Sequence, residues 1–258
     1  MISRQRLQVV VAHELRLAKR DPIPILVLIV FPIITMAFLK PAFRPALVQS
    51  GHPHANGSEQ VVPGEATLSA FFIVSLITVS FFAEYAWGTW DRLRASAATS
   101  LEIVLGKAIP RVVMTVAQFA VVVGAGLLFF GLDIRGSAAA LIPLVVMFAV
   151  CLVLLGVAVT AVCHTAQQAQ AFAVVGMVLF GAIGGALVPF SVLPHWARVV
   201  APVTPTYWAM RGFTSVILDG RGLGGVEAPI AALAAMALAF GVLALRRLRF
   251  DDHKTGWA

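Results

Sequence analysis

The chain has 258 residues, of which 60% are hydrophobic and only 12% are charged, and its mean hydropathy is +0.92. In soluble domains about a quarter of the residues are charged, so this composition excludes an ordinary soluble protein. The net charge of +7 does not indicate a nucleic-acid partner, because the basic residues lie at the ends of apolar runs, where they set membrane topology. Cys151 and Cys163 are most simply small apolar side chains, not a disulfide or a metal pair.

The first predicted element is an amphipathic helix within residues 1–21. Leu7, Val10 and Leu15 recur at helical spacing, and basic residues occupy the other faces, which is typical of a helix that lies in the membrane interface. The proline at position 22 ends it, since a residue before proline is disfavoured in helical geometry. This break favours an interfacial helix over an extension of the first span. The segment is too charged for a cleavable signal peptide.

Six apolar runs follow, each near the roughly 20 residues that a helix needs to cross about 30 Å of hydrocarbon. They predict an all-α membrane protein with spans at residues 22–39, 67–87, 109–131, 138–162, 171–188 and 229–245. The longer segments between spans are an outer loop at 40–66, a cytoplasmic loop at 88–108 and an outer segment at 189–228. A cytoplasmic tail at 246–258 follows the last span.

The orientation follows from the basic residues. Thirteen of the 19 lysines and arginines lie in the N-terminal segment, in the segment 88–111 and in the C-terminal tail, where they include Arg249 and Lys254. Positive charge marks the cytoplasmic side, so an even number of spans predicts that both termini are cytoplasmic. The expected location is a bacterial inner membrane.

The cytoplasmic loop carries charged and aromatic residues beside the membrane. Trp87 and Trp90 suit the membrane–water boundary. Thr99 or Ser100 is a candidate cap for a short helix that ends at Gly106.

Glu84 is interpreted as the only carboxylate within reach of a span, and Arg92 or Arg94 is its expected partner. An ionisable group at such a place suggests a function, since its burial is costly. A charge at headgroup level that serves only topology is the alternative.

Ten residues of this loop form a recognisable pattern: Glu84, Gly88, Thr89, Asp91, Arg92, Leu93, Arg94, Leu105, Gly106 and Lys107. The pattern resembles the membrane subunit of type-2 ABC exporters, the family of daunorubicin-type and multidrug efflux permeases. The resemblance implies six spans, an N-terminal interfacial helix, and a coupling helix between spans two and three that contacts an ATPase. The family often has proline after the Arg-Leu-Arg run, where this chain has Ala97 and Ala98.

A second stretch resembles the same family. It is marked by Pro189, Pro194, Trp196, Pro205 and Tyr207. The resemblance implies a re-entrant segment between spans five and six. Proline and glycine supply the helix breaks, and broken backbone at membrane depth persists only inside protein or beside a wet cavity.

The chain lacks a phosphate-binding loop of the G-x-x-x-x-G-K-[ST] type, so Lys107 is interpreted as a topology charge. The family resemblance therefore implies that a separate ATPase subunit binds ATP and Mg²⁺, with no catalytic residue, metal or cofactor in this chain. It also implies a second membrane subunit, as a homodimer or heterodimer, with the substrate route between the two.

Spans two and five offer a candidate lining for that route, made of Phe71, Ser75, Thr78, Phe82 and Phe180. Such a surface suits an amphipathic or hydrophobic substrate. The same residues are also ordinary packing or lipid-facing residues.

Three other functions are compatible with a six-span chain. An ion-coupled transporter normally needs ionisable groups in mid-membrane, and the span centres offer little beyond Gln118. An intramembrane enzyme needs a Ser/His or paired-Asp arrangement, and none accompanies Cys163 and His164 near a span end. A non-transporting anchor subunit of an ABC complex would share the same sequence features.

Overall fold

The computed structural model describes residues 4–96 and 99–247, without the side chains of residues 18, 19, 91, 93, 94 and 100. Its α-helices are α1 Arg4–Arg20, α2 Ile23–Gln49, α3 Ser58–Ala70, α4 Phe72–Ala86, α5 Trp90–Ala95, α6 Ser100–Phe129, α7 Leu141–Val162, α8 Ala166–Ile183, α9 His195–Val200, α10 Pro205–Ile217 and α11 Glu227–Arg247. No strand occurs among the described residues.

Six helical segments are long and apolar enough to cross a membrane, which confirms the predicted all-α class and number of spans. They are Ile23–Gln49, Ser58–Ala86, Leu101–Phe129, Ala138–Val162, Ala166–Ile183 and Glu227–Arg247. The second combines α3 and α4, which meet at Phe71. Helix α1 is separate from the first span, because Asp21 and Pro22 are not helical. The position of α1 in the membrane interface stays a prediction.

The predicted outer loop at 40–66 is largely helical. Helix α2 continues past Lys40 to Gln49, and α3 begins at Ser58. Two contacts hold the extension: Lys40 Nζ donates to the Phe130 carbonyl at 2.6 Å, at the C-terminal end of α6, and Leu47 is buried with Ala55 and Leu218. Lysine near a helix C-terminus satisfies carbonyls that have no partner within the helix.

The segment 101–106, predicted to be a short helix of its own, is the first part of α6, which runs unbroken to Phe129. Thr99 caps this helix, as predicted. The Glu102 N–H donates to Thr99 Oγ1, and Glu102 Oε2 accepts from the Thr99 N–H at 2.7 Å. This reciprocal capping box fixes where α6 begins. Gly106 has helical geometry and does not end it.

Helix α7 lies at the centre of the bundle and contacts α4, α6, α10 and α11. Its Phe148 is fully buried, with ring centroids 6.0 Å from Phe119 and 6.3 Å from Phe71. A glycine lets α7 approach α4 closely. A Cβ at Gly156 would lie 2.1 Å from the side chain of Ile77, so α4 and α7 pack with almost no space between them.

We call the end of the bundle that carries α1 and the turn between α4 and α5 the loop end. Helix α1 packs against the first half of α6 there. Short helices and 3₁₀ turns between α8 and α11 form the opposite end, where α10 contacts α3, α7, α8 and α11.

Candidate functional site

A buried group of charged residues joins three helices at the loop end. We call Glu14 of α1, Ser80 and Glu84 of α4, and Lys107 and Arg111 of α6 the ion cluster. Lys107 Nζ lies 2.7 Å from Glu14 Oε1 and 2.9 Å from Glu84 Oε1. Arg111 Nη1 donates to the other oxygen of Glu14, also at 2.7 Å. Two carboxylates therefore face two cations, and the cluster is close to neutral overall.

Lys107 is the centre of this cluster. The residue is 1% exposed, and its ammonium also donates to the Ser80 hydroxyl at 3.1 Å and lies 5.6 Å from the centroid of the Phe81 ring. A buried ammonium is stable only with such partners. Removal of one partner from a buried pair costs about 3–5 kcal/mol, because the other charge is left uncompensated. The cluster therefore fixes α1, α4 and α6 relative to one another.

The sequence before Lys107 brings α1 close enough for these bonds. Gly106 faces α1, and a Cβ there would lie 2.4 Å from Val10 Cγ1. A second ion pair, between Arg6 and Glu102 at 3.7 Å, joins the same two helices one turn away. Gly106 thus serves close helix packing and not helix termination.

Glu84 is also held by the turn that ends α4. Gly88 has φ +63°, in the left-handed region, and its N–H donates to the Tyr85 carbonyl, while the Thr89 N–H donates to the Glu84 carbonyl at 3.0 Å. These two bonds form a Schellman cap, which favours glycine at the left-handed position. The Thr89 hydroxyl donates to Glu84 Oε2. The turn therefore orients the Glu84 carboxylate, whose Oε1 accepts a hydrogen bond from the Lys107 ammonium.

The electrostatics of Glu14 reflect its two partners. Burial acts to raise the pKa of the Glu14 carboxyl, but the charges of Lys107 and Arg111 and their hydrogen bonds more than offset it. The pKa therefore lies below its ordinary value of 4.5. Glu14 is ionised at neutral pH and holds α1 to α6.

The comparison with known families decides what kind of protein carries this cluster. The model of the ABC-2 type transporter family matches residues 5–218. The chain belongs to the ABC-2 type transporter family. This match confirms the resemblance to type-2 ABC permeases, and together with the six spans it indicates a multi-pass membrane protein.

Three curated proteins are similar to parts of this chain. The linearmycin resistance permease protein LnrN of Bacillus subtilis is 29% identical over 62% of this chain, and the probable multidrug ABC transporter permease YbhR of Escherichia coli K12 is 27% identical over 60%. The aligned regions span 42% of each of these two relatives. ABC transporter G family member 20 of Dictyostelium discoideum is 26% identical over 72% of this chain and 26% of its own length.

One sequence interpretation in this region was wrong, and a second is not supported for one of its two candidate residues. Glu84 pairs with Lys107, whereas Arg92, one of its expected partners, is exposed, and the Arg94 side chain lies outside the described part. Lys107 is not a topology charge, since it is buried inside the cluster. The error arose because nearness in sequence favoured Arg92 and Arg94. In the fold, the antiparallel return of α6 brings Lys107 beside the end of α4 instead.

Glu84 is also not the only carboxylate near a span. Glu14, Glu59, Glu65 and Glu102 are buried as well. Glu14 was open to detection from the sequence, because it continues the apolar stripe of α1 at helical spacing from Leu7 and Val10. Burial of an ionised carboxylate is costly unless it is paired, so a carboxylate on an apolar stripe favours a nearby cation.

The remaining residues of the predicted ATPase contact lie around the same turn. Asp91, Arg92 and Arg94 belong to α5, which follows Gly88, and Leu105 precedes Gly106 in α6. The side chains of Asp91 and Arg94, and residues Ala97 and Ala98, lie outside the described residues. Trp87 is 69% exposed, whereas Trp90 is buried and stacks on Tyr85 with centroids 4.5 Å apart, so only the first suits a boundary position.

The five candidate lining residues lie inside the packed chain rather than on an open cavity. Phe71, Ser75, Thr78 and Phe82 are buried, and Phe180 is half-buried with its ring 5.9 Å from Phe71. Ser75 donates to Gln170 of α8. In this conformation they are packing residues, because Gly156 lets α4 close against α7 and α4 also packs on α8.

The predicted re-entrant residues lie at the helix breaks of the opposite end. Pro189 precedes a 3₁₀ turn, Pro194 precedes α9, and Pro205 is the first residue of α10. Tyr207 packs on Phe190 at 5.2 Å, and Trp196 is 63% exposed. Proline suits first helical positions because no backbone donor is lost there. The depth of this segment in a membrane stays a prediction.

Proposed function

We propose that this chain is the membrane-spanning subunit of an ATP-driven exporter. A separate ATPase subunit would bind ATP with Mg²⁺ and hydrolyse it, and a second membrane subunit would complete the transport route. The family match supports this assignment, as does the similarity to the linearmycin resistance permease of Bacillus subtilis and the probable multidrug permease of E. coli. The expected setting is a bacterial inner membrane with both termini in the cytoplasm.

The ion cluster is the observation that carries the proposal. Helices α1, α4 and α6 meet at Lys107. Its partner Glu84 is hydrogen-bonded to Thr89 of the turn that leads into α5. An ATPase that pushes on this turn moves the end of α4 and, through the buried charges, α1 and α6 with it. Coupling between sites needs such a physically continuous connection.

The substrates are amphipathic or hydrophobic molecules, such as drugs, antibiotics or lipid-like compounds, taken from the membrane. The route lies between α3–α4 and α8 of one subunit and the same helices of its partner. Residues such as Phe71 and Phe82 would take part only when these helices separate, since they are buried in the closed packing.

The decisive experiment tests whether the ion cluster couples ATP hydrolysis to transport, with a variant that leaves the net charge of the cluster unchanged. The double variant Glu84→Gln/Lys107→Gln removes one negative and one positive charge and leaves the pair of Glu14 with Arg111 intact. The tagged chain is co-purified with its ABC ATPase, reconstituted in liposomes, and assayed for ATP hydrolysis and for dye efflux. We expect assembly to persist and efflux per ATP hydrolysed to fall about tenfold or more.

The matched control is Glu227→Gln/Arg247→Gln, which changes the same charges at exposed positions of α11. We expect wild-type efflux from it. Full coupling in the Glu84/Lys107 variant would reject the role of the ion cluster. Failure to co-purify any ATPase, or efflux that continues with an ATPase unable to hydrolyse ATP, would reject the exporter itself. ATPase binding without efflux of any dye would indicate an anchor subunit.

A further inference from the structure

A groove outside the ion cluster opens between α2, α3–α4 and α8. Its volume is about 470 Å³, within the range of small-molecule sites. The lining is apolar except for three residues, Thr35, Glu65 and Ser69. We call it the Glu65 groove. Its apolar walls include Leu28, Phe31, Leu68, Phe72, Met177 and Val178.

Glu65 lies in a span, and among the described residues it makes no ion pair. The residue is 6% exposed, and its Oε2 lies 2.6 Å from Thr35 Oγ1. Within the described part of the chain, no lysine, arginine or histidine nitrogen lies within 4.0 Å of its carboxylate. The contrast with Glu14 and Glu84 is direct, because each of those buried carboxylates contacts at least one cation.

The polar groups around Glu65 are also incompletely satisfied. The Thr35 hydroxyl has a single proton, yet it lies within hydrogen-bond distance of the carbonyls of Phe31 and Pro32 as well as of Glu65. Ser69, one helical turn after Glu65, also lines the groove, and its buried hydroxyl has no hydrogen-bond partner among the described atoms. Two adjacent turns of α3 thus present polar oxygens that the protein itself does not fully pair.

A carboxylate in such a place is costly without a positive partner. A ligand that supplies one positive charge and an apolar body would remove this cost and fill the walls at the same time. We infer that the Glu65 groove binds a cationic amphiphile, whose ammonium-type group contacts Glu65 and whose hydrocarbon part packs on the apolar walls. The assignment of this molecule to the class of exported substrates rests on the proposed function; its binding does not.

The test measures binding to the full chain in lipid nanodiscs, without ATPase or ATP. The probes are radiolabelled dodecyltrimethylammonium and its uncharged isostere, in which carbon replaces the quaternary nitrogen. Wild-type protein is expected to bind the cation more tightly than the isostere. Glu65→Gln, which keeps an oxygen for Thr35, should weaken binding of the cation about tenfold or more and leave binding of the isostere within about twofold, since a lost buried charge pair exceeds 1.4 kcal/mol.

Two further variants separate charge from folding. Glu65→Asp retains the charge and should retain part of the preference for the cation, and Glu227→Gln should bind as wild type because it lies exposed on α11. If Glu65→Gln does not form monodisperse protein, wild type and Glu65→Asp are compared instead. Tighter binding of the cation than of the isostere by both supports the inference, and equal binding overturns it. Equal binding of the two probes to wild type, or unchanged binding of the cation to Glu65→Gln, overturns the inference.

A second copy of the chain is the other possible occupant of the groove. In that case neither probe would bind in a way that depends on Glu65, and Phe72→Cys, on the groove wall, would form disulfide-linked dimers that exclude the probes. That result would overturn the inference while leaving the exporter proposal in place. Conversely, loss of ATPase coupling in the ion-cluster test would leave a cation site in the groove unaffected.

Discussion

The ammonium of Lys107 lies 2.7 Å from Glu14 Oε1, although 93 residues separate the two in the chain. This bond connects α1, which precedes the first span, to the start of the third span. It also places α1 beside Glu84 and the turn that follows α4. The two features that the sequence presents separately, an amphipathic helix and a charged loop, therefore belong to one mechanical unit.

The balance of charge in this unit predicts that a second substitution recovers stability lost through a first. Lys107→Gln removes the ammonium that pairs with Glu84 and is expected to destabilise the protein by about 3–5 kcal/mol. Addition of Glu84→Gln removes the uncompensated charge and should recover a large part of that loss. Thermal unfolding of the purified single and double variants in detergent measures the recovery. A double variant less stable than Lys107→Gln alone would contradict the pairing of these residues.

Gly106 is expected to tolerate no side chain while Val10 is present. The Cβ of Gly106→Ala would overlap Val10 Cγ1, so we expect a loss of about 1–3 kcal/mol. Val10→Ala in the same chain removes Cγ1 but keeps Cβ, which would lie 2.6 Å from the added atom, so it should restore only part of the loss. Gly124→Ala in the same helix is the matched control, because nothing lies within 4 Å of its added Cβ and alanine favours helix. Equal effects at Gly106 and Gly124 would show that α1 is not held closely against α6.

The left-handed geometry of Gly88 predicts a residue-specific effect on coupling. Gly88→Ala adds about 1 kcal/mol of backbone strain to the turn, whereas Gly88→Asn, which adopts the left-handed region more readily, should cost less. Both additions point into open space, so steric overlap does not distinguish them. The ratio of efflux to ATP hydrolysis in liposomes is expected to fall more for alanine than for asparagine. The opposite order would exclude a role for this cap.

The lowered pKa of Glu14 predicts how stability depends on pH. A carboxyl whose pKa is lower in the folded state contributes stability above its ordinary value of 4.5, and this contribution is lost as the pH falls through the folded-state value. The stability difference between wild type and Glu14→Gln should therefore be full at pH 6–7 and decrease below about pH 4.5. Unfolding midpoints of both proteins between pH 7 and pH 3 measure it. A difference that grows on acidification would contradict the assigned ionisation.

The sequence by itself determined the class of protein and the number of spans. Six apolar runs of membrane length have few alternatives, because an unpaired backbone is not tolerated in hydrocarbon. Local signals were also decisive at short range: the proline at position 22 separates α1 from α2, and Thr99 with Glu102 begins α6. The sequence motif from Glu84 to Lys107 was sufficient to suggest the ABC-2 family.

Only the tertiary structure decided which charges meet. The carboxylate of Glu84 has three cations within 23 residues, and their order along the chain does not reveal that Lys107 is buried against it. The answer depends on how closely α1, α4 and α6 approach, which Gly106 and Val10 determine through space. The same reason explains why Glu65 was missed. Its polar environment arises from Thr35, on a different helix, and the absence of an ion pair among the described residues is visible only once the surrounding helices are in place.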